Sequence, residues 1–319
     1  MSADQGFGDK GFVVALSGGI GGAKLALGLY RVLPPGRLIV IANTGDDFTH
    51  LGLAVSPDLD TLLYTLAGLD NPVTGWGRRD ETWTFMTALE ALGGETWFKL
   101  GDGDLATHVE RTRRLAAAEP LSAITDDLRR RLGISARLLP MSDERVRTRL
   151  LCPEGWLDFQ DYFVRRQCRP VVREIAFAGI KAARAQPEFL AALADPALRL
   201  VVICPSNPFI SIDPILALPG VREALRRSTA PVVAVSPIIG GRAVKGPTAK
   251  LMAELGLPVD AAAVARHYGD LIDHYVIDEA DADSLAGLAM PLTATRTLME
   301  TLSDREALAR VVLGVSRSR

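Results

Sequence analysis

Several segments of this chain have the residue types and spacing to do chemistry. Ser17-Gly18-Gly19-Ile20-Gly21-Gly22-Ala23-Lys24 places four glycines within five positions and ends on a lysine. Glycines let a backbone approach phosphate oxygens closely, and a helix N-terminus behind them offers N–H groups and a favourable dipole. Gly18, Gly19, Gly21 and Gly22 are therefore candidate phosphate-binding positions, with Lys24 adding a point charge. A tight strand-to-helix turn would use the same glycines. The pattern is not the dinucleotide fingerprint, because Lys24 occupies the last glycine position, and it lacks P-loop spacing.

Two acidic motifs follow, Asn43-Thr44-Gly45-Asp46-Asp47 and Ser56-Pro57-Asp58-Leu59-Asp60. Paired carboxylates can hold Mg²⁺, which prefers oxygen ligands and commonly bridges to substrate phosphates. One of them can instead accept a proton from an attacking hydroxyl. Asx-turns and a helix cap before Leu62, Leu63 and Leu66 are the plain alternatives.

Trp97-Phe98-Lys99 runs through Gly101-Asp102-Gly103-Asp104 to His108, with Lys99 and His108 as possible substrate contacts. Pro205-Ser206-Asn207-Pro208 and Lys245-Gly246-Pro247 are rigid polar turns able to present amides to a base or phosphate; Ser206, Asn207, Lys245 and Gly246 are the candidates there. The four histidines, at 50, 108, 267 and 274, form no metal-site spacing.

The elements that must position these groups are readable from periodicity. Phe12–Leu16 is an apolar, β-branched run, the segment from Gly22 to Leu33 is helical, and Leu38–Ala42 is a second buried strand. Leu198–Cys204, Val232–Val235 and Tyr275–Ile277 repeat the strand-then-polar-loop syntax, separated by helical stretches Ile215–Arg227 and Ala249–Leu255. This predicts an α/β, Rossmann-like fold: a mostly parallel sheet with helices on both faces and ligands outside the strands' carboxyl ends. His108–Leu132 reads as two helices split at Pro120, with Ser122 a possible N-cap; short β-like runs at Arg145–Leu151 and Trp156–Phe159 follow. The expected division is residues 11–105 as the first part of the core, 106–178 as an inserted smaller α+β subdomain or lid, and 179–319 as the second part of the core.

With 319 residues, 48% apolar residues and a formal charge of −2, the chain suits a globular protein and gives no reason to expect a nucleic-acid partner. Three scattered cysteines fit a reducing compartment rather than a disulfide framework. No signal-peptide pattern and no membrane-length apolar run is seen, so no membrane association and a cytoplasmic location are expected.

Taken in order, SGGIGGAKL (17–25), NTGDD (43–47), SPDLDTLLYTL (56–66), GWGRRDETW (75–83), WFKLGDGDLATH (97–108), LLPMSDERVRT (138–148), FQDYFV (159–164), PSNPFISIDPIL (205–216) and SPIIGGRAVKGPTAKLM (236–252) resemble the 2-phospho-L-lactate transferases of coenzyme F420 biosynthesis. The resemblance implies an Mg²⁺-dependent homodimer. Such an enzyme moves a phospho-three-carbon-acid unit from a guanosine-diphosphate-activated donor to the ribityl hydroxyl of the deazaflavin Fo, releasing GMP. By motif, Asp60 and Lys99 match deazaflavin-binding positions, with Ser56 and Asp58 beside them, and Asp46, Asp47 and Asp58 match the acidic cluster near metal and acceptor. Asp47 and Asp60 are the expected catalytic residues, and Asp46, Asp47 and Asp60 the expected metal ligands.

Regulators of the gluconeogenesis-factor type, which look like nucleotide-sugar binders, share the glycine loop but typically carry a Gly- and Ser-rich stretch after the acidic pair. Here Asp47 is followed by Phe48-Thr49-His50-Leu51-Gly52, which favours the transferase. A dinucleotide-dependent dehydrogenase is weaker still, since its glycine fingerprint fails.

Overall fold

The computed structural model describes residues 11–315 except 245, 286, 287 and 289. Strand β1 (Phe12–Ser17) leads through a one-residue turn into α1 (Gly19–Val32) and then β2 (Leu38–Ala42). A hairpin, β3 (Phe48–His50) and β4 (Leu53–Val55), hands over to α2 (Pro57–Leu66). Helices α3 (Thr84–Ala91), α4 (Asp102–Ala116) and α5 (Leu121–Arg131) precede β5 (Arg137–Pro140), and β6 (Arg147–Cys152), β7 (Gly155–Asp158) and β8 (Glu174–Ala178) follow. The remainder runs α6 (Pro187–Ala194), β9 (Leu198–Ile203), α7 (Asp213–Leu216), α8 (Val221–Arg227), β10 (Val232–Val235), β11 (Ile238–Ile239), β12 (Arg242–Ala243), α9 (Thr248–Glu254), α10 (Ala261–Tyr268), β13 (His274–Asp278), β14 (Leu292–Thr295) and α11 (Leu302–Val315).

Seven strands form one sheet in the order β14-β13-β10-β9-β1-β2-β5, and every neighbouring pair is parallel. This is the predicted Rossmann-like α/β architecture. The strands are continuously apolar because both faces are covered. Val13 and Ala15 point into a core with Leu25, Leu29, Leu62 and Val312, while Val14 and Leu16 point into the opposite core with Phe189, Ile215, Leu225 and Tyr275. Gly28 marks a close approach of α1 to α11: a Cβ there would strike the Arg305 carbonyl.

Chain order reverses at β1. From it the path runs outward through β2 to β5, while the second half returns on its other side through β9, β10, β13 and β14. The carboxyl ends of β1 and β9 therefore flank a topological switch point, the place where open parallel sheets bind ligands.

Several expectations need correction. Residues 106–178 are not one insert, because β5 inside them is the edge strand of the main sheet; only β7-β6-β8 forms a separate antiparallel sheet. The helix expected over Ile215–Arg227 is two helices, broken at Gly220, which has φ 84. Ser122 does not cap α5: Pro120 is the N-cap, and Ser122 instead donates its N–H and hydroxyl to Asp143 at 2.7 and 2.8 Å. Helix α1 starts at Gly19 rather than Gly22.

Candidate active site

A cavity of about 640 Å³ opens at the switch point. Its lining combines two kinds of chemistry: Gly18, Gly19, Gly21, Lys24, Asp46, Asp58, Ser206 and Asn207 are polar or glycine positions, Trp76, Trp97, Phe98, Phe159 and Phe163 are aromatic, with Lys99, and Asp60, Tyr64, Asp104 and His108 also line it.

The glycine loop serves packing as much as ligand approach. The Gly18 N–H donates to Ser206 Oγ at 3.1 Å, and that hydroxyl donates back to the Gly18 carbonyl at 2.7 Å, tying the β1 and β9 loops together. A Cβ on Gly21 would come within 2.5 Å of the Pro205 carbonyl, and one on Gly22 would strike the hydroxyls of Ser206 and Ser17. Gly22 does not line the cavity. The Gly19 N–H, expected to await a phosphate, donates to Asp58 Oδ1 at 2.7 Å. Lys24 reaches the cavity with its Nζ donating to the Met299 carbonyl at 2.6 Å.

The acidic loop is organised by Asn43, which is fully buried. Its amide donates to Asp58 Oδ2 at 2.9 Å and to the Ile210 carbonyl at 3.3 Å, and its oxygen accepts the Gly45 N–H at 2.8 Å. Burial pushes the Asp58 carboxyl up to about 6, against the bonds from Asn43 and Gly19. Burial, and then the Asp58 charge, raise Asp46 well above its ordinary value. Asp46 Oδ1 is buried without a hydrogen-bond partner. Two buried cavity-lining carboxylates close enough to feel one another's charge, one carrying an orphaned oxygen, fit an oxygen-loving divalent cation.

Asp47 sits behind this pair and does not line the cavity. Burial pushes it up to about 7, although Arg147, the Ser56 hydroxyl and Arg111 act the other way. Ser56 is spent on this contact, donating to Asp47 Oδ2 at 2.7 Å, and it also lies behind the lining.

Asp60 is not grouped with Asp46 and Asp47 as a ligand trio. Its carboxylate is engaged in a two-point ion pair with Arg111, which is 1% exposed: Nη1 donates to Oδ2 at 3.1 Å and Nη2 to Oδ1. Arg111 Nη1 also lies 3.3 Å from His108 Nδ1. Arginine only donates, so Nδ1 accepts in that contact, while Nε2 lies 3.2 Å from Asp104 Oδ2 without hydrogen-bond geometry. Tyr64 donates to Asp104 Oδ1 at 2.7 Å. Asp60, Asp104 and His108 each offer an atom within 4.8 Å of the others, a buried group that could hold a metal ion, and the only such trio of His, Cys, Asp and Glu among the described residues. The Arg111 guanidinium already supplies positive charge to Asp60, so a cation there would compete with it.

On the β9 side, Asn207 accepts the N–H groups of Phe209 and Ile210 and donates to Thr248 Oγ1 at 3.0 Å, so it shapes the wall while facing the cavity. Gly246 lines the cavity beside Pro247. Lys245 lies outside the described residues.

Asn43, Tyr64, Asp104 and Arg111 were not singled out by sequence. Asn43 lies in the NTGDD motif, so that signal was present; Arg111 gave none, lying in a charged helical run.

A fully parallel α/β sheet with an acidic, glycine-lined cleft at its switch point defines a Rossmann-like protein with its cavity where such sheets bind ligands. The family model described as 2-phospho-L-lactate transferase CofD matches residues 13–308. Phosphoenolpyruvate transferases are similar throughout: that of Streptomyces griseus is 43% identical over 310 residues, covering 93% of this chain and 97% of that protein. That of Thermobifida fusca is 44% identical over 298 residues, covering 88% and 91%. Among solved structures, a UPF0052-family protein of Bacillus halodurans superposes with a TM-score of 0.64 at 15% identity, covering 96% of this chain and 99% of that one, which shows the shared fold. The chain belongs to the 2-phospho-L-lactate transferase CofD family. With the family come transferase activity and a place in coenzyme F420 biosynthesis. No helix among the described residues is long and apolar enough to cross a membrane.

Proposed function

We propose that this protein transfers a phospho-three-carbon-acid unit from a guanosine-diphosphate-activated donor to the ribityl hydroxyl of Fo, releasing GMP. The observation that carries the reading is a single cleft whose lining contains both a carboxylate- and glycine-rich group and an aromatic group. The curated relatives are phosphoenolpyruvate transferases, which makes the phosphoenolpyruvyl unit the first donor to test.

A diphosphate entering the polar end would meet Asp46 and Asp58, and like charges there demand a counter-ion. Asp46 and Asp58 would hold Mg²⁺, which supplies charge neutralisation at the diphosphate and at the departing GMP. Asn43 and the Gly19 N–H fix the Asp58 carboxylate, while Lys24 and the glycine backbone border the phosphates. The Asn207–Thr248 wall, with Gly246 and Pro247, borders the guanosine. At the other end Trp97 and Phe98 offer faces and edges to the tricyclic ring, and Lys99 stands beside them. Asp60, held by Arg111, accepts a hydrogen bond from the ribityl chain and orients its hydroxyl for attack. Transfers of this kind depend largely on positioning and electrostatics, so no strong nucleophile is required. Cytoplasmic location and a homodimer complete the proposal, with neither nucleic acid nor membrane as partner.

Equilibrium dialysis tests the two ends separately. Fo and GMP with Mg²⁺ should each bind at one site per chain without displacing one another. Mutual displacement, or no binding of Fo, would refute the two-ended cleft.

A further inference from the structure

His50 has no part in the transfer described above, yet its placement requires explanation. It is 3% exposed in β3, and its Nε2 has no hydrogen-bond partner. A buried ring nitrogen left unpaired is costly, and a phenyl ring would fill the same space without that cost. Trp97 and Phe98 meet its ring edge-on, with centroids 5.0 and 5.6 Å away, and Phe48 of the same strand meets Phe98 edge-on at 4.8 Å. Aromatic rings attract at these separations and angles.

The cluster joins two parts of the site. Trp97 and Phe98 line the cavity, whereas Phe48 and His50 lie behind them. Residues 94–101 contain no helix or strand, so the grip of the hairpin is a principal constraint on where these two rings stand. The hairpin is itself firmly mounted: the Ala54 N–H donates to Thr112 Oγ1 of α4 at 2.7 Å. It also follows directly from the acidic loop in the chain.

We infer that His50 is a positioning residue for the acceptor: its neutral ring holds Trp97 and Phe98 as the wall on which the planar acceptor stacks, and gaining a proton loosens that wall. The inference rests on the reading of this end as the acceptor site. An imidazolium demands water or a counter-ion, and an aromatic cluster supplies neither. Burial already lowers the proton affinity of this ring, the facing His108 of α4 lowers it further, and Glu95 of the 94–101 loop opposes both. Glu95 is engaged elsewhere, accepting from Trp97 Nε1 at 3.2 Å and lying 3.9 Å from Arg165, whose guanidinium sits 5.8 Å over the Trp97 ring. Glu95 is thus the anion that favours protonated His50, and its contacts with Trp97 Nε1 and Arg165 hold it on the loop rather than in a hydrogen bond with the His50 ring.

The test is equilibrium dialysis of Fo against the full-length protein at pH 7.5 and pH 5.5, for wild type, His50→Phe and His50→Ala, with GMP binding measured alongside. Any titration of Fo enters all three proteins alike. Relative to His50→Phe, which should match wild type at pH 7.5, wild type should lose Fo affinity on acidification to pH 5.5. His50→Ala should bind Fo about tenfold more weakly at both pH values, and at each pH the GMP affinity of both variants should stay within twofold of wild type. The role of His50 is overturned if His50→Phe shows the same acid loss as wild type, or if His50→Ala binds Fo as wild type does. Should His50→Ala fail to fold, the comparison of wild type with His50→Phe decides alone. Failure of wild type to bind Fo at pH 7.5 would instead refute the acceptor assignment, and this inference with it.

Discussion

Gly18 and Ser206, 188 positions apart in sequence, exchange two hydrogen bonds across the switch point of the sheet. The pair satisfies both backbone groups of Gly18 with one side chain. It also fixes the distance between two loops that line the cleft.

Ser206→Ala removes both bonds and leaves the Gly18 N–H and carbonyl buried. The expected loss is about 1–3 kcal/mol of stability, read by urea denaturation, together with weaker GMP binding. Gly21→Ala should act similarly through strain, since its Cβ would lie 2.5 Å from a backbone oxygen that cannot rotate away. A Gly21→Ala protein with unchanged stability and GMP affinity would show that the loops are not held this closely.

Arg111 and Asp60 form a buried ion pair, and removing one member strands the other. Arg111→Met alone should cost about 3–5 kcal/mol, whereas combining it with Asp60→Leu should recover much of that loss, as measured by chemical denaturation. The double variant should fold yet bind Fo poorly. Additive losses in the double variant would argue against direct coupling of the two charges.

Asp47 gives stability a pH dependence with a definite sign. Its folded value, about 7, lies above the ordinary 3.8, so folding favours the protonated form. Its contribution is fully present below about pH 4 and lost as pH rises through 7. Asp47→Asn should therefore be more stable than wild type at pH 8, by roughly 2–4 kcal/mol in metal-free buffer, with the difference vanishing near pH 4. A pH-independent difference would remove the buried carboxyl as its cause. Turnover by Asp47→Asn is a separate check on the catalytic role its motif suggests, for Asp47 lies behind the lining rather than on it.

Asp46→Asn and Asp58→Asn should each lower turnover at least about a hundredfold at saturating donor and raise the Mg²⁺ concentration needed for half-maximal rate. Equal losses at every Mg²⁺ concentration would place the ion elsewhere, with the Asp60–Asp104–His108 group the next candidate.

How much of this was legible beforehand follows from the physics of each element. Runs such as FVVAL and LIVIA announce strands buried on both faces, and the glycines after the first announce a turn into a helix. Arg137–Pro140 escaped because four residues beginning with arginine and ending with proline carry little periodicity, yet β2 recruits them as the sheet's edge. The Phe48–Val55 hairpin escaped because its turn, Leu51-Gly52, lacks the usual Asn-Gly signal, although both residues take the positive φ such turns require (51° and 78°). The acidic residues were visible by type, but their division of labour was not. Only three-dimensional neighbours show that Arg111 occupies Asp60, that Ser56 occupies Asp47, and that Asp46 and Asp58 face the cavity together.

The most direct test of the central claim is the product mass formed from purified protein, Fo, Mg²⁺ and a guanosine-diphosphate donor carrying each three-carbon acid in turn. The account predicts that Fo gains one phospho-acid mass with one GMP released per Fo consumed, most readily from the phosphoenolpyruvyl donor, and that nothing happens without Mg²⁺. Intact donor beside unchanged Fo, with all three acids and Mg²⁺ present, would contradict it.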